Sequence, residues 1–173
     1  MKTVFVLVLI AGVAVATAFA QKVNIDSDPA APFDSFHTYA WTVGTPSPNP
    51  LGDQRIHDGV DRQLAARGLT KRAQDPDLIV ATHVLAREER ELIANGFGYG
   101  WYGGGFGTVT EHTYVQGTLV VDLYDARTKK MVWRGTATDT ASDKADKNAK
   151  KVNKALAKMF ERYPATRPPA TAN

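Results

Sequence analysis

The chain has 173 residues, 43% of them apolar and 23% charged, with 21 Lys and Arg against 18 Asp and Glu for a formal net charge of +3. That length sustains one domain with its own core, and so small a basic excess makes no electrostatic case for nucleic acid. There is no cysteine, which excludes disulfides, thiolate metal sites, a cysteine nucleophile and a lipid-modified N-terminal cysteine.

The N-terminus reads as a secretory signal. Lys2 precedes an apolar run from Val4 to Val15, and Ala18-Phe19-Ala20 fits the small-x-small cleavage rule. The run is too short and small-sided for a membrane span. Cleavage is expected between Ala20 and Gln21, leaving a periplasmic or secreted protein. Residues 21–32 form a polar leader with a Val23, Ile25 alternation, either an edge strand or a loose arm. Phe33 to Phe36 reads as an aromatic turn. Thr38-Tyr39-Ala40-Trp41 follows as a short strand with Tyr39 and Trp41 on one face. Thr42 to Pro50 carries three prolines and is loop.

Asp53 is the expected N-cap of a first helix, whose stripe is Ile56, Val60 and Leu64. Gly68 is its expected C-terminal cap, and Gly59 inside it predicts a close packing contact. Asp77 to Ala86 reads as a strand that continues into the charged run Arg87 to Glu91. The return strand starts near Glu111, with Thr113, Val115, Leu119, Val121 and Leu123 on one face and Tyr114, Gln116, Thr118, Asp122 and Tyr124 on the wet one. A tight turn over Asp125–Lys129 leads to a third strand, Lys130 to Thr138. A last helix runs from Ser142 or Asp143 to Tyr163 on the stripe Ala145, Ala149, Val152, Leu156, Met159, Phe160 and Tyr163, and Pro164 ends it. The tail 165–173 reads as disordered. The sum is one α+β domain over residues 33–164, a β-α-β-β-β-α two-layer sandwich with an antiparallel sheet and both helices on one face.

Between the two central strands, residues 96–107 read Gly-Phe-Gly-Tyr-Gly-Trp-Tyr-Gly-Gly-Gly-Phe-Gly and hold half of the 14 glycines. Burying these rings and ordering this glycine-rich backbone are opposed terms of similar size, so a modest contact surface can order the stretch. Phe97, Tyr99, Trp101, Tyr102 and Phe106 are the expected partner-binding residues. The partner is another envelope protein, a glycan or a membrane interface; a floppy hairpin end or rings folded back on the sheet is the bland alternative.

The competing idea is a small hydrolase or carbohydrate-active enzyme that uses Glu88, Glu89, Glu91 or Glu111. It requires those carboxylates to line one concave pocket; cross-strand ion pairs with Arg87 and Arg90 are the plainer account. A hairpin centred near residues 100–101 sets His83 opposite residue 118 and His112 opposite Glu89, too far apart to act together. The scattered histidines, His37, His57, His83 and His112, give no metal-ligand spacing, and no cofactor is expected. Lys144, Lys147, Lys150, Lys151, Lys154 and Lys158 read as the solvated face of the last helix.

Five stretches taken in order resemble the bacterial domain of unknown function 4136. They are Phe33-Asp34-x-Phe36-x-Thr38-Tyr39-Ala40-Trp41, Asn49-Pro50-x-x-Asp53-x-Arg55-Ile56, Pro76-Asp77-Leu78-Ile79-Val80-x-x-His83, Gly117-Thr118-Leu119-x-Val121-Asp122-Leu123-Tyr124-Asp125 and Val132-Trp133-Arg134-Gly135. The resemblance implies an exported envelope protein. It brings no catalytic residue, because the family has no established activity. Members are often lipid-anchored, which the missing lipobox cysteine argues against here.

Overall fold

The computed structural model describes residues 21–95 and 108–164. Six strands make one sheet: β1 (Lys22–Ser27), β2 (Thr38–Trp41), β3 (Thr70–Lys71), β4 (Leu78–Asn95), β5 (Thr108–Asp125) and β6 (Met131–Thr140). Two helices, α1 (Pro50–Ala65) and α2 (Ala145–Phe160), cover one face. The spatial order is β1-β6-β5-β4-β2-β3. The α+β sandwich is the one expected, with two refinements. Of the two readings of the leader, the edge strand holds: β1 pairs antiparallel to β6 from Lys22↔Thr138 to Ser27↔Trp133. The sheet is also mixed rather than wholly antiparallel. β2 runs parallel to β4, from Tyr39↔Leu78 to Trp41↔Val80, because α1 carries the chain back between them as a β-α-β crossover.

Helix boundaries follow local chemistry. Asn49, not Asp53, caps α1: its Oδ1 accepts from the N–H groups of Leu51 and Gly52 at 3.0 and 3.2 Å, and Pro50 occupies the first helical position, where a missing N–H costs nothing. Asp53 instead accepts from Ser47 N–H at 2.9 Å, one turn in. At the other end Gly68 takes φ +82°, and the N–H groups of Gly68 and Leu69 return to the carbonyls of Ala65 and Leu64, a Schellman ending. Gly59 sits where α1 meets α2. A Cβ there would stand 2.5 Å from Leu156 Cδ1, so the interior glycine permits the approach of the helices.

Both helices run back from the same end of the sheet, the end towards which β4 and β6 point. The core is filled at the opposite end by Leu64, Leu78, Leu123, Trp133, Met159 and Phe160, all essentially buried. Arg67 locks that end, donating to the Phe160 carbonyl and lying 5.2 Å over its ring.

β4 and β5 pair over their full lengths, from Leu78↔Asp125 to Asn95↔Thr108. Their outer neighbours stop early. On the β4 side the last contact is Val84 N–H to the Thr45 carbonyl, and on the β5 side Ala141 N–H to the Val115 carbonyl. From the pair Glu89↔Tyr114 to Asn95↔Thr108 the two strands therefore continue as a two-stranded arm. At about 3.3 Å per residue it projects roughly 25 Å.

Candidate functional site

The aromatic residues expected to bind a partner, Phe97, Tyr99, Trp101, Tyr102 and Phe106, lie outside the described residues. By chain connectivity they belong to the segment that joins the two strands of the arm.

The four carboxylates do not form a site. Strand alternation puts Glu88 and Glu111 on the helix-bearing side and Glu89 and Glu91 on the other. Arg90 pairs with Glu111 at 3.4 Å and Arg87 with Glu89 at 3.9 Å, all on an exposed ribbon. Among the described residues no concave surface collects the set, which paired acid–base work needs. The register also corrects the histidine expectation. His83 faces Val120 and His112 faces Glu91, not residue 118 and Glu89. The slip is two residues, because the hairpin is centred between 101 and 102, and an even slip leaves every side chain on its expected face. Among the described residues no group of three or more His, Asp or Glu is placed to hold a metal ion.

Two features that were not expected stand out. The first is on the helix-free face of the sheet. Asp122, assigned to the wet side, is 0% exposed. Arg134 grips it with two hydrogen bonds, Nε at 2.6 Å and Nη2 at 2.7 Å, in the fork geometry that suits a carboxylate. Tyr124 donates to it at 3.4 Å and His83 Nε2 lies 3.6 Å away. The other ring nitrogen of His83 accepts from Thr45 N–H at 3.2 Å, which ties the 42–48 loop to the sheet. The Asp122 bonds raise the Arg134 pKa; burial first, then the Asp122 charge, raises that of the Tyr124 hydroxyl. With its oxygens committed to Arg134 and Tyr124, Asp122 is a clasp between β4, β5 and β6.

The second feature is a slot of about 260 Å³ between the first halves of the two helices, at the root of the arm. Its floor is Val84, Ala86, Val115, Gly117, Leu119 and Ala137, and its walls are Ile56 from α1 and Ala145, Ala149, Val152 and Ala155 from α2. It exists because the core tapers. Along α2 the inward stripe reads Ala145, Ala149, Val152, Leu156, Met159, Phe160, from small to large. Along β5 Leu123, Val121 and Leu119 give way to Gly117, and along β6 Trp133 gives way to Ala137. A Cβ built on Gly117 would meet only the Asp139 carbonyl, at 3.8 Å, so the glycine opens the floor. Arg55 stands at the mouth.

Most polar residues of the five sequence stretches have architectural duties. Asp77 accepts from the N–H groups of His37 and Thr38 and from the Thr38 hydroxyl at 2.8–3.0 Å. Asp125 accepts from Arg127 and Thr128 N–H in the turn before β6. Asn49 caps α1, and Asp122 and Arg134 clasp the sheet. A family model described as a domain of unknown function, DUF4136, matches residues 23–165. The chain belongs to that family. No curated protein matches the sequence. Solved structures are similar to this DUF4136 chain at low identity. A PDZ domain protein from Parabacteroides distasonis is 18% identical with TM-score 0.56; the match covers 85% of this chain and 36% of that longer one. The PelC dodecamer from Paraburkholderia phytofirmans is 14% identical with TM-score 0.52, covering 82% and 96%. Lipoprotein GNA1162 from Neisseria meningitidis is 9% identical with TM-score 0.42, covering 72% and 99%. No described helix is long and apolar enough to cross a membrane.

Proposed function

We propose that this DUF4136 protein is an exported, non-enzymatic binding or assembly module of the cell envelope, which offers residues 96–107 to a partner from the end of its arm. One observation carries the reading: the arm continues for seven strand pairs, Glu89↔Tyr114 to Asn95↔Thr108, past its last sheet neighbours. An isolated two-stranded ribbon is marginal in water, so the arm adds little to the body's stability and a contact at its end accounts for it better. Its charged side chains, Glu89, Arg90, Glu91 and Glu111, keep its open edges from pairing at random. The signal-like N-terminus supports export, and the PelC dodecamer supports a fold of this kind entering an oligomer.

Replacing 96–107 by an Asn-Gly turn removes the segment and leaves the arm and body in place. The body should keep its melting temperature. Co-sedimentation with vesicles or peptidoglycan, or self-association in the ultracentrifuge, should be lost. Equal association with and without the segment in all three assays overturns the reading.

A further inference from the structure

We infer that the slot between the helices is a binding site for a medium-chain fatty acid anion. The inference is independent of the arm and would survive its failure.

Size comes first. An apolar cavity of about 150 Å³ already takes up benzene, and this slot has about 260 Å³. Its depth is built by small residues rather than left by a misfit. Ala86, Gly117, Ala137, Ala145 and Ala149 occur where the same strands and the same helix stripe supply Leu, Trp, Met and Phe one or two turns away. A slot narrowed by helices on two sides, floored by a sheet and open at one end suits an unbranched chain better than a bulky ring system. The floor and walls offer few polar groups to orient a polar body.

Charge selects the head. Arg55 lies at the mouth and has no hydrogen-bond or ion-pair partner among the described residues. The acidic group in the lining, Asp139, is matched by Lys151 Nζ at 2.9 Å. The first turns of α1 and α2 border the same mouth, and their N–H ends add positive potential. A planar guanidinium at the rim of an apolar slot favours a carboxylate over a neutral or cationic head.

The test is an amide-resolved NMR titration of the chain from Gln21 onward, which contains every described element. Hexanoate, octanoate and decanoate are compared with decanol and decyltrimethylammonium, all below their micelle concentrations. Decanoate should move the signals of Val84, Gly117, Ala137 and Ala149. Affinity should rise about fourfold per methylene until the slot is full. Arg55→Gln should weaken decanoate about tenfold and leave decanol unchanged. Gly117→Val should abolish binding while filling space that is empty. Ala149→Leu closes the same slot from the helix wall and stands in if the strand variant fails to fold. Absence of saturable shifts overturns the assignment. So do equal affinities for decanol or decyltrimethylammonium, or decanoate shifts that persist in both filled variants.

Discussion

The two ends of the helix–sheet layer are built from the same strands and helices, and they differ in one property, side-chain volume. At the far end Trp133, Phe160 and Tyr163 pack ring to ring, with centroids 5.0–6.0 Å apart. At the arm end the equivalent positions hold Ala137, Ala145 and Ala149. A closed, dry void of 260 Å³ would cost roughly 6 kcal/mol at about 24 cal/mol per Å³. That is a large share of the 5–15 kcal/mol of a typical domain. The opening to solvent relieves part of this cost. The filled end therefore holds the fold, and the empty end is kept open at the expense of stability.

That contrast can be broken most severely at the filled end. Trp133→Ala or Phe160→Ala should lower stability by about 3–5 kcal/mol in urea unfolding. A loss below 1 kcal/mol would mean that the two ends share the load. Next, Asp122→Ala should cost about 1–2 kcal/mol. It strips Arg134 of its partner, but that guanidinium is 45% exposed and water takes over part of the loss. The same measurement on Arg134→Ala should be the more damaging of the pair, because it leaves a carboxylate buried.

Acid probes the body at a smaller scale. For Asp77, burial pushes the pKa up, but the N–H groups of His37 and Thr38 and the Thr38 hydroxyl outweigh it. For Asp61, burial is likewise outweighed, by hydrogen bonds from Trp41, Tyr39 and Lys71. For Asp125, the Thr128 N–H comes first in lowering it. Each folded value lies below the unfolded one of about 3.9. Their stabilisation is thus complete above the unfolded value and is lost as pH falls through the folded values. Melting temperature should be flat from neutrality to about pH 5 and drop below about pH 4, and Asp77→Asn should blunt that drop. A fall beginning above pH 6 would point to other groups.

Gly117→Val acts on the empty end and should raise stability by up to about 1 kcal/mol, through a stiffer unfolded chain and newly buried methyl groups. Destabilisation would show that the floor is already closed. Arg90→Ala, out on the arm, should change stability by less than about 0.5 kcal/mol, since its pair with Glu111 is exposed.

The taper was visible in the sequence before it had a meaning. The stripe Ala145, Ala149, Val152, Leu156, Met159, Phe160 is apolar throughout, and periodicity alone scores alanine and phenylalanine alike. Only alignment with Gly117 and Ala137 across the sheet turns small residues into a slot, and those partners are about thirty positions or less away in sequence but on other strands. Alternation assigned the strand faces correctly because an even slip in register is invisible to it. Asp122 was the exception: its place in the alternation is that of a wet residue, and its burial comes from Arg134 and its neighbours closing over it. The parallel pairing of β2 was encoded in the strand–helix–strand order before Leu78 but was masked by the hairpins that follow. The helix start was misplaced because Asp53 and Asn49 are both capping residues, and Pro50 decides between them.

β1 has a practical consequence for anyone handling the protein. Gln21 donates to the Lys151 carbonyl at 3.0 Å and lines the slot, so the polypeptide enters the domain at the end from which the arm departs. Tyr163, packed on Phe33 and Trp133, leaves from the other. A purification tag or surface linkage placed ahead of Gln21 would crowd the arm and the slot together, and one placed after Pro164 would leave both facing the solution.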